Sequence, residues 1–273
     1  MPEVGQPDGR AAQNRWVATS ANDQWVMKLP LTRVFWYLVE TALPHARPIL
    51  GASNRVTKNS EDRATLQVMA YRVLSQDLMA GRYKPGQAVS LRPLAARLGT
   101  SPMPIREAVS RLIAERALVL LPNRNVIVPL MTRKRLIELS RARQLLEGAA
   151  AHSACANLTP ALLTKLTRLN DQLKHCLSNA QIRPALSHNL NFHFALYRAF
   201  DEEVILPLIE MLWRQAGPFV ALTPKMPGVK WTAEFHDHIL TALKEGDAPA
   251  AKRAIEQDIE STTLELLRNA DFI

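Results

Sequence analysis

The stretch "SPMPIREAVSRL", residues 101–112, sets the side chains best able to do chemistry at a regular spacing. Ser101 precedes two prolines, Pro102 and Pro104, and a strongly helical run follows. The first N–H groups of a helix have no intrahelical acceptor, so both prolines lose no ladder bond if Ser101 is the cap. They fix where the helix begins and stiffen its entry. Arg106 and Ser110, four residues apart, share one face, while Ile105, Ala108, Val109, Leu112 and Ile113 form an apolar stripe on another. Arginine is the side chain best suited to a guanine edge or a phosphate. A capped core helix with solvated arginines fits the same residues, and the stretch alone does not choose.

The neighbouring elements narrow the choice. Leu66, Met69, Ala70, Val73, Leu74 and Leu78 recur at helical spacing and predict a helix from Thr65, stopped by Gly81. "KPG" at 84–86 is a turn signal. Ser90 is placed to cap a second helix that turns Leu91, Leu94, Ala95 and Leu98 inward and ends at Gly99. After the third helix, "ALVLL" and "VIVPL" read as two short strands around "PNRN". Three helices and a hairpin make a winged helix-turn-helix, whose second motif helix points its first turn into the major groove. That use explains why a stiff entry is worth two prolines.

Charge agrees with this reading. The chain has 273 residues and a net charge of +9, but the excess is local. Residues 69–131 hold nine Lys/Arg and three Asp/Glu, whereas 132–273 hold seventeen and sixteen. A basic module beside a near-neutral one suggests a polyanion-binding domain joined to something else. With 47% hydrophobic residues the composition is globular. Cys155 and Cys176 are the only cysteines, which excludes a disulfide framework and suits a reducing compartment. No run approaches the roughly 18–20 apolar residues of a membrane span, and "MPEVGQPDGR" lacks the order of a signal peptide. A cytoplasmic protein without membrane contact is expected.

The expected fold is mainly α, in three parts. Residues 1–62, with the aromatic patch "RVFWYLVETALPHARPIL", form a poorly ordered extension without a motif; 63–131 form the winged helix-turn-helix; 132–273 form an all-α bundle of six or seven helices. The bundle begins at Thr132. Thr159 caps a second helix with Pro160 at its first position, and breaks fall at Arg183–Pro184, 223–228 and 245–247.

The span 66–130 resembles the N-terminal domain of the GntR family of bacterial transcription regulators. "LMAGRYKPGQAVS", "LAARLGTSPMPIREAVSRL" and "ERALVLLPNRNVIV" carry the resemblance, with Gly81, Pro85, Gly86, Leu94, Ala95, Leu98, Gly99, Ser101, Pro104, Arg106, Glu107 and Ala108 in family order and spacing. It implies that Arg92 and Arg106 contact DNA and that the wing around Arg124 lies near the minor groove. Ser101, Met103, Ser110 and Arg111 join them as DNA-facing candidates. Two departures stand out. Pro102 replaces an arginine common after the cap serine, so base readout there should differ. Asn125 replaces the usual wing glycine and is expected to take the positive φ.

The helical remainder resembles the effector domain of the FadR-type branch, an FCD-like bundle, with Arg143 and Glu147 at its "R-x-x-x-E". Many such domains hold a divalent metal through one Asp and three His. The matching positions here are Asn189, His193, His236 and Asp258, so one carboxylate has become an amide and one histidine a carboxylate. The set still suits zinc, nickel or manganese, with the amide a weak ligand. The alternative is a hydrogen-bonded polar cluster without metal. His188 and His238 are neighbours off the ligand set.

The resemblance thus implies a ligand-responsive, sequence-specific regulator, more often a repressor, that binds double-stranded operator DNA as a homodimer. Its bundle would bind a small organic or sugar acid, anchored by Arg143 and any metal. The alternative class is a metal-dependent enzyme with an accessory winged helix, in which His193, His236 and Asp258 activate water. No positioned acid/base residue such as that of "H-E-x-x-H" is present, so no enzyme is expected. An interaction adaptor is a third class, and it would lack salt-sensitive DNA affinity.

Overall fold

The first long helix starts well before the apolar pattern predicts. In the computed structural model, which describes residues 17–18, 25–26, 53–199, 203–229 and 231–273, α1 spans Ser53–Met79. The apolar spacing placed its start at Thr65. Ala70, Leu74 and Leu78 are fully buried at intervals of four, but Met69, expected inward, is 48% exposed. The aromatic patch at 33–50 lies outside the described residues. The chain divides into two units, Met1–Val56 and Thr57–Ile273. Of the first, a two-residue antiparallel pair is described, β1 (Val17–Ala18) with β2 (Trp25–Val26).

In the second unit, α2 (Leu91–Arg97) and α3 (Pro102–Ala114) form the helix-turn-helix. β3 (Val119–Leu120) and β4 (Val126–Ile127) form the wing, and Ala88 bridges to Ile127 as a third edge. Ile105, Ala108, Val109 and Leu112 pack with the buried face of α1, as their spacing predicts. The two cap serines behave differently from expectation. Ser90 and Ser101 occupy N-cap positions with extended backbone, yet neither side chain makes a capping bond. At Ser101, Pro104 removes one of the two N–H groups that a cap hydroxyl can meet, leaving that of Met103. Ser101 is exposed. Positive φ in the wing falls on Arg124 (64°), not on Asn125. Asn125 instead donates its N–H to the Asn123 Oδ1 at 3.1 Å and its carbonyl accepts from Leu121 N, closing the turn.

Six α-helices and one 3₁₀ turn follow: α4 (Arg133–Ala154), α5 (Pro160–Ser178), α6 (Ile182–Tyr197), α7 (Ile205–Val220), the turn Thr223–Lys225, α8 (Glu234–Glu245) and α9 (Ala248–Asn269). Thr132 and Thr159 cap α4 and α5 through Arg135 N and Leu162 N, each at 3.1 Å. Gly246, at φ 70°, ends α8 in the left-handed conformation, and Asp247 caps α9. Leu166, Phe192, Leu196, Ile209, Ile239 and Ile255 fill the core. No described helix is long and apolar enough to cross a membrane.

Head and bundle meet at two glycines. A Cβ on Gly217 of α7 would lie 2.5 Å from the Leu78 carbonyl oxygen, and one on Gly81 would lie 2.1 Å from the Ala221 Cβ. Beside them, Arg135 donates to the Arg116 carbonyl (3.0 Å) and to Gln215 (2.9 Å), while Gln215 donates to the Glu115 carbonyl (3.2 Å). The C-terminal end of α3 is thus tied to the bundle.

Candidate functional site

Two sites emerge, one exposed and one buried. On α3, Met103, Arg106 and Ser110 lie at spacings of three and four along one exposed face. Arg92 on α2 and Arg124 in the wing turn are exposed too, and these three arginines have no carboxylate partner among the described residues. Arg111 differs. Its Nε donates to Glu115 at 3.0 Å, and its guanidinium sits 3.8 Å from the centre of the Tyr71 ring. The Tyr71 hydroxyl donates to the same carboxylate, and Arg214 of α7 pairs with it at 2.9 Å. Arg111 is therefore tied to Glu115, which Arg214 of the bundle also holds. Burial and the bond to Glu115 push the Tyr71 hydroxyl up from its ordinary value.

The buried site lies inside the bundle. Asn189 and His193 stand one turn apart on α6, His236 comes from α8 and Asp258 from α9. A cavity lined by Asn189, His193 and Asp258 also touches Arg143 of α4, Trp213 of α7, Trp231 and Thr262. About 10 Å³ of it admits the centre of a water-sized sphere, room for one ion or water. His193 Nε2 is 3.3 Å from both Asp258 Oδ2 and His236 Nε2, and ligand atoms of the three residues lie within 4.8 Å of one another. His238 is exposed, as its off-register position suggested.

Proton positions decide what this cluster can do. The Tyr197 hydroxyl donates to Glu147 Oε2 at 2.5 Å, so it receives from His193 Nδ1 at 3.0 Å. An N–H on Nδ1 leaves the Nε2 lone pair of a neutral His193 aimed at Asp258. When His236 carries its proton on Nδ1, three lone pairs converge, the arrangement a cation satisfies. In a metal-free cluster a neutral His236 instead carries its proton on Nε2 and donates to His193 Nε2 at 3.3 Å. His236 Nδ1 is buried with no hydrogen-bond partner among the described residues. Burial, and then the charge on His193, push His236 down to about 3 from an ordinary 6.5, so it stays a neutral ligand. Burial alone would raise Asp258, but the His193 bond and the charges of His193, His236 and Arg143 outweigh it and hold the carboxyl low.

Arg143 completes the network. It is buried and donates through Nε and Nη2 to Glu147 at 2.6 and 3.3 Å, with its guanidinium 4.5 Å from the centre of a Trp213 ring. Burial opposes its charge, yet Glu147 more than offsets that and raises it. Burial beside Glu147 also lifts Tyr197 well above its ordinary range. Sequence reading missed Tyr197, Trp213, Arg214, Glu115 and Tyr71. Tyr197 alone left a signal, since it lies four residues after His193 on one helix face.

A winged head on a helical bundle with a closed polar pocket defines a class, the one-chain regulator that couples DNA reading to a small ligand. The chain matches the bacterial regulatory proteins of the gntR family over residues 66–128 and the FCD domain over 138–261. McbR, a transcriptional regulator of Escherichia coli K12, is 30% identical over 195 residues, covering 67% of this chain and 85% of the relative. A D-xylose utilization operon repressor of Paenarthrobacter nicotinovorans is 25% identical, covering 72% and 87%. The solved structure of E. coli McbR superposes with a TM-score of 0.68 at 27% identity, covering 74% and 97%, and a GntR regulator from Rhodococcus sp. RHA1 shares the fold at 0.59. This chain belongs to the GntR family, in its FadR-like branch with an FCD domain. It is a DNA-binding transcription regulator, not an enzyme.

Proposed function

We propose that the chain is a cytoplasmic, homodimeric repressor released from or fixed on its operator by a small organic or sugar acid. Arg106 and Ser110 read bases with Ser101 and Met103 at the helix entry, Arg92 holds phosphate, and Arg124 lies near the minor groove. Exposed Leu145 (70%) on α4 and Leu264 (42%) on α9, a closely packed helix pair, favour a partner copy over solvent.

The convergence of lone pairs from His193, His236 and Asp258 carries the ligand reading. A zinc, nickel or manganese ion fits there, with Asn189 as a neutral fourth partner. Charge gives the reason for an acid. With neutral histidines, Arg143, Glu147 and Asp258 sum to one negative charge, which repels an anion. A divalent ion turns the pocket to one positive charge, which attracts a carboxylate. Because the cavity holds about one ion, an acid enters only as its walls, Trp213 and Trp231 among them, move apart. The relative named for D-xylose utilization makes sugar acids the first compounds to try.

The test is a thermal-shift screen of organic and sugar acids, with and without each metal, beside elemental analysis of the wild type and Asn189→Asp. Metal near one per chain, tighter in Asn189→Asp, and an acid that raises the melting temperature only with metal are expected. Metal absent from both proteins at neutral pH would falsify the metal reading and leave Arg143 as the anchor.

A further inference from the structure

Outside the bundle core, the joint between head and bundle holds a second concavity of about 530 Å³. That is within the usual range for a small-ligand pocket, roughly 300–1,000 Å³. Its lining is charged with one sign. Arg82 and Lys84 come from the chain just after the joint glycine Gly81, while Arg183 and Lys225 come from α6 and the 3₁₀ turn of the bundle. Among the described residues, no acidic side chain lines it. The nearby Asp77 is buried and already shared, one oxygen to Arg82 at 2.8 Å and the other to Arg97 at 2.6 Å. Lys84, Arg183 and Lys225 are exposed and have no carboxylate partner among the described residues.

The start of α6 borders the same space, because Arg183 and Pro184 in its first turn line the concavity. Cations from two bodies that face one another repel, and an anion between them reverses the sign of that interaction.

We propose that this concavity is a second ligand site, separate from the bundle core, for a small metabolite carrying phosphate groups or several carboxylates. The anion bridges Arg82 and Lys84 of the head to Arg183 and Lys225 of the bundle and so holds the head in the docked placement. Ser187, on the rim, offers a hydroxyl beside them. The core site senses a ligand inside the bundle, whereas this one acts directly on the joint and needs no metal.

The experiment uses the full chain loaded with metal, at fixed ionic strength. Fructose 1,6-bisphosphate and tricarballylate, a tricarboxylate, are titrated by thermal shift into wild type and into Arg183→Gln/Lys225→Gln. Metal content and the melting temperature without anion check that the double variant is folded with its core intact. A saturable rise in wild type is expected, with a half-saturating concentration about tenfold higher or more in the double variant. The stronger probe distinguishes phosphate from carboxylate recognition. A response equal to that of matched sodium chloride overturns the site. A saturable response unchanged in the folded double variant overturns it too, because the anion is then bound elsewhere. If the double variant fails the folding check, Lys84→Gln with Lys225→Gln is judged by the same two outcomes.

Discussion

The head and the bundle are both helical bodies around aliphatic cores, yet they place charge in opposite ways. The head carries Arg92, Arg106 and Arg124 on its surface, where water solvates them until a polyanion arrives. The bundle buries Arg143, Glu147, Asn189, His193 and His236, each under a tenth exposed. Exposed charge costs folding little and confers long-range attraction. Buried charge requires partners for every atom, which makes the network a rigid device with few allowed protonation states. The difference teaches what to expect of the proposed sites: additive, salt-dependent binding in the head and switch-like binding in the bundle.

The sharpest way to break this contrast is to unpair the buried charge. Glu147→Gln leaves Arg143 without its counter-ion and removes the acceptor state that holds Tyr197. Chemical denaturation should show a loss of about 3–5 kcal/mol. A loss below about 1 kcal/mol would place Arg143 in contact with water and undo the comparison. On the exposed side, Arg106→Ala should leave stability unchanged but weaken a selected operator by about 1–3 kcal/mol in gel-shift titration. Arg92→Ala should instead weaken all sequences alike and reduce the salt slope by about one. Equal losses on cognate and random DNA for Arg106→Ala would remove it from base reading.

Tyr197→Phe tests the device without touching a ligand. Losing the acceptor for His193 Nδ1 frees the ring to turn, so metal affinity should fall roughly 10–100-fold with the four candidate ligands intact. Competition with a chromophoric chelator measures this. The last test is acid sensitivity in chelator-stripped protein. Because the folded chain holds His236 at about 3 against 6.5 unfolded, the unfolded chain binds the extra proton between those values. Stability is complete above the unfolded value and falls as pH drops toward the folded one, by up to about 1.4 kcal/mol per unit. Denaturation midpoints across that window should slope down toward acid in wild type and flatten in His236→Gln. Asp258, held low, adds its own loss only at the acid end.

Much of the head was legible because its signals are local. The stripe through Ile105, Ala108, Val109 and Leu112 and the prolines at 102 and 104 act within one helix, and the buried face follows from 3.6-residue geometry. The cap at Thr159 and the helix start at Thr132 were readable for the same reason. The bundle's candidate ligands were legible only through family resemblance, since His193 and His236 lie 43 residues apart. The misreadings were local too. Ser90 and Ser101 sit at cap positions without capping bonds, and the wing's positive φ falls one residue earlier than expected, on Arg124.

By itself, the sequence determined most of the helical segments, most of their apolar faces and where the excess positive charge lies. All three depend on neighbours a few residues apart, whose geometry the backbone period sets. Tertiary structure alone decided which polar groups share a proton and which bodies touch. Gln215 reaches Glu115 across 100 residues, and Gly217 matters because Leu78 and Met79 press against it. Tyr197 fixes the tautomer of His193 only because Glu147, 50 residues away, accepts the hydrogen bond of the tyrosine hydroxyl. Such pairings depend on how helices pack. Packing is settled by summed burial over the whole core, which no single stretch of sequence records.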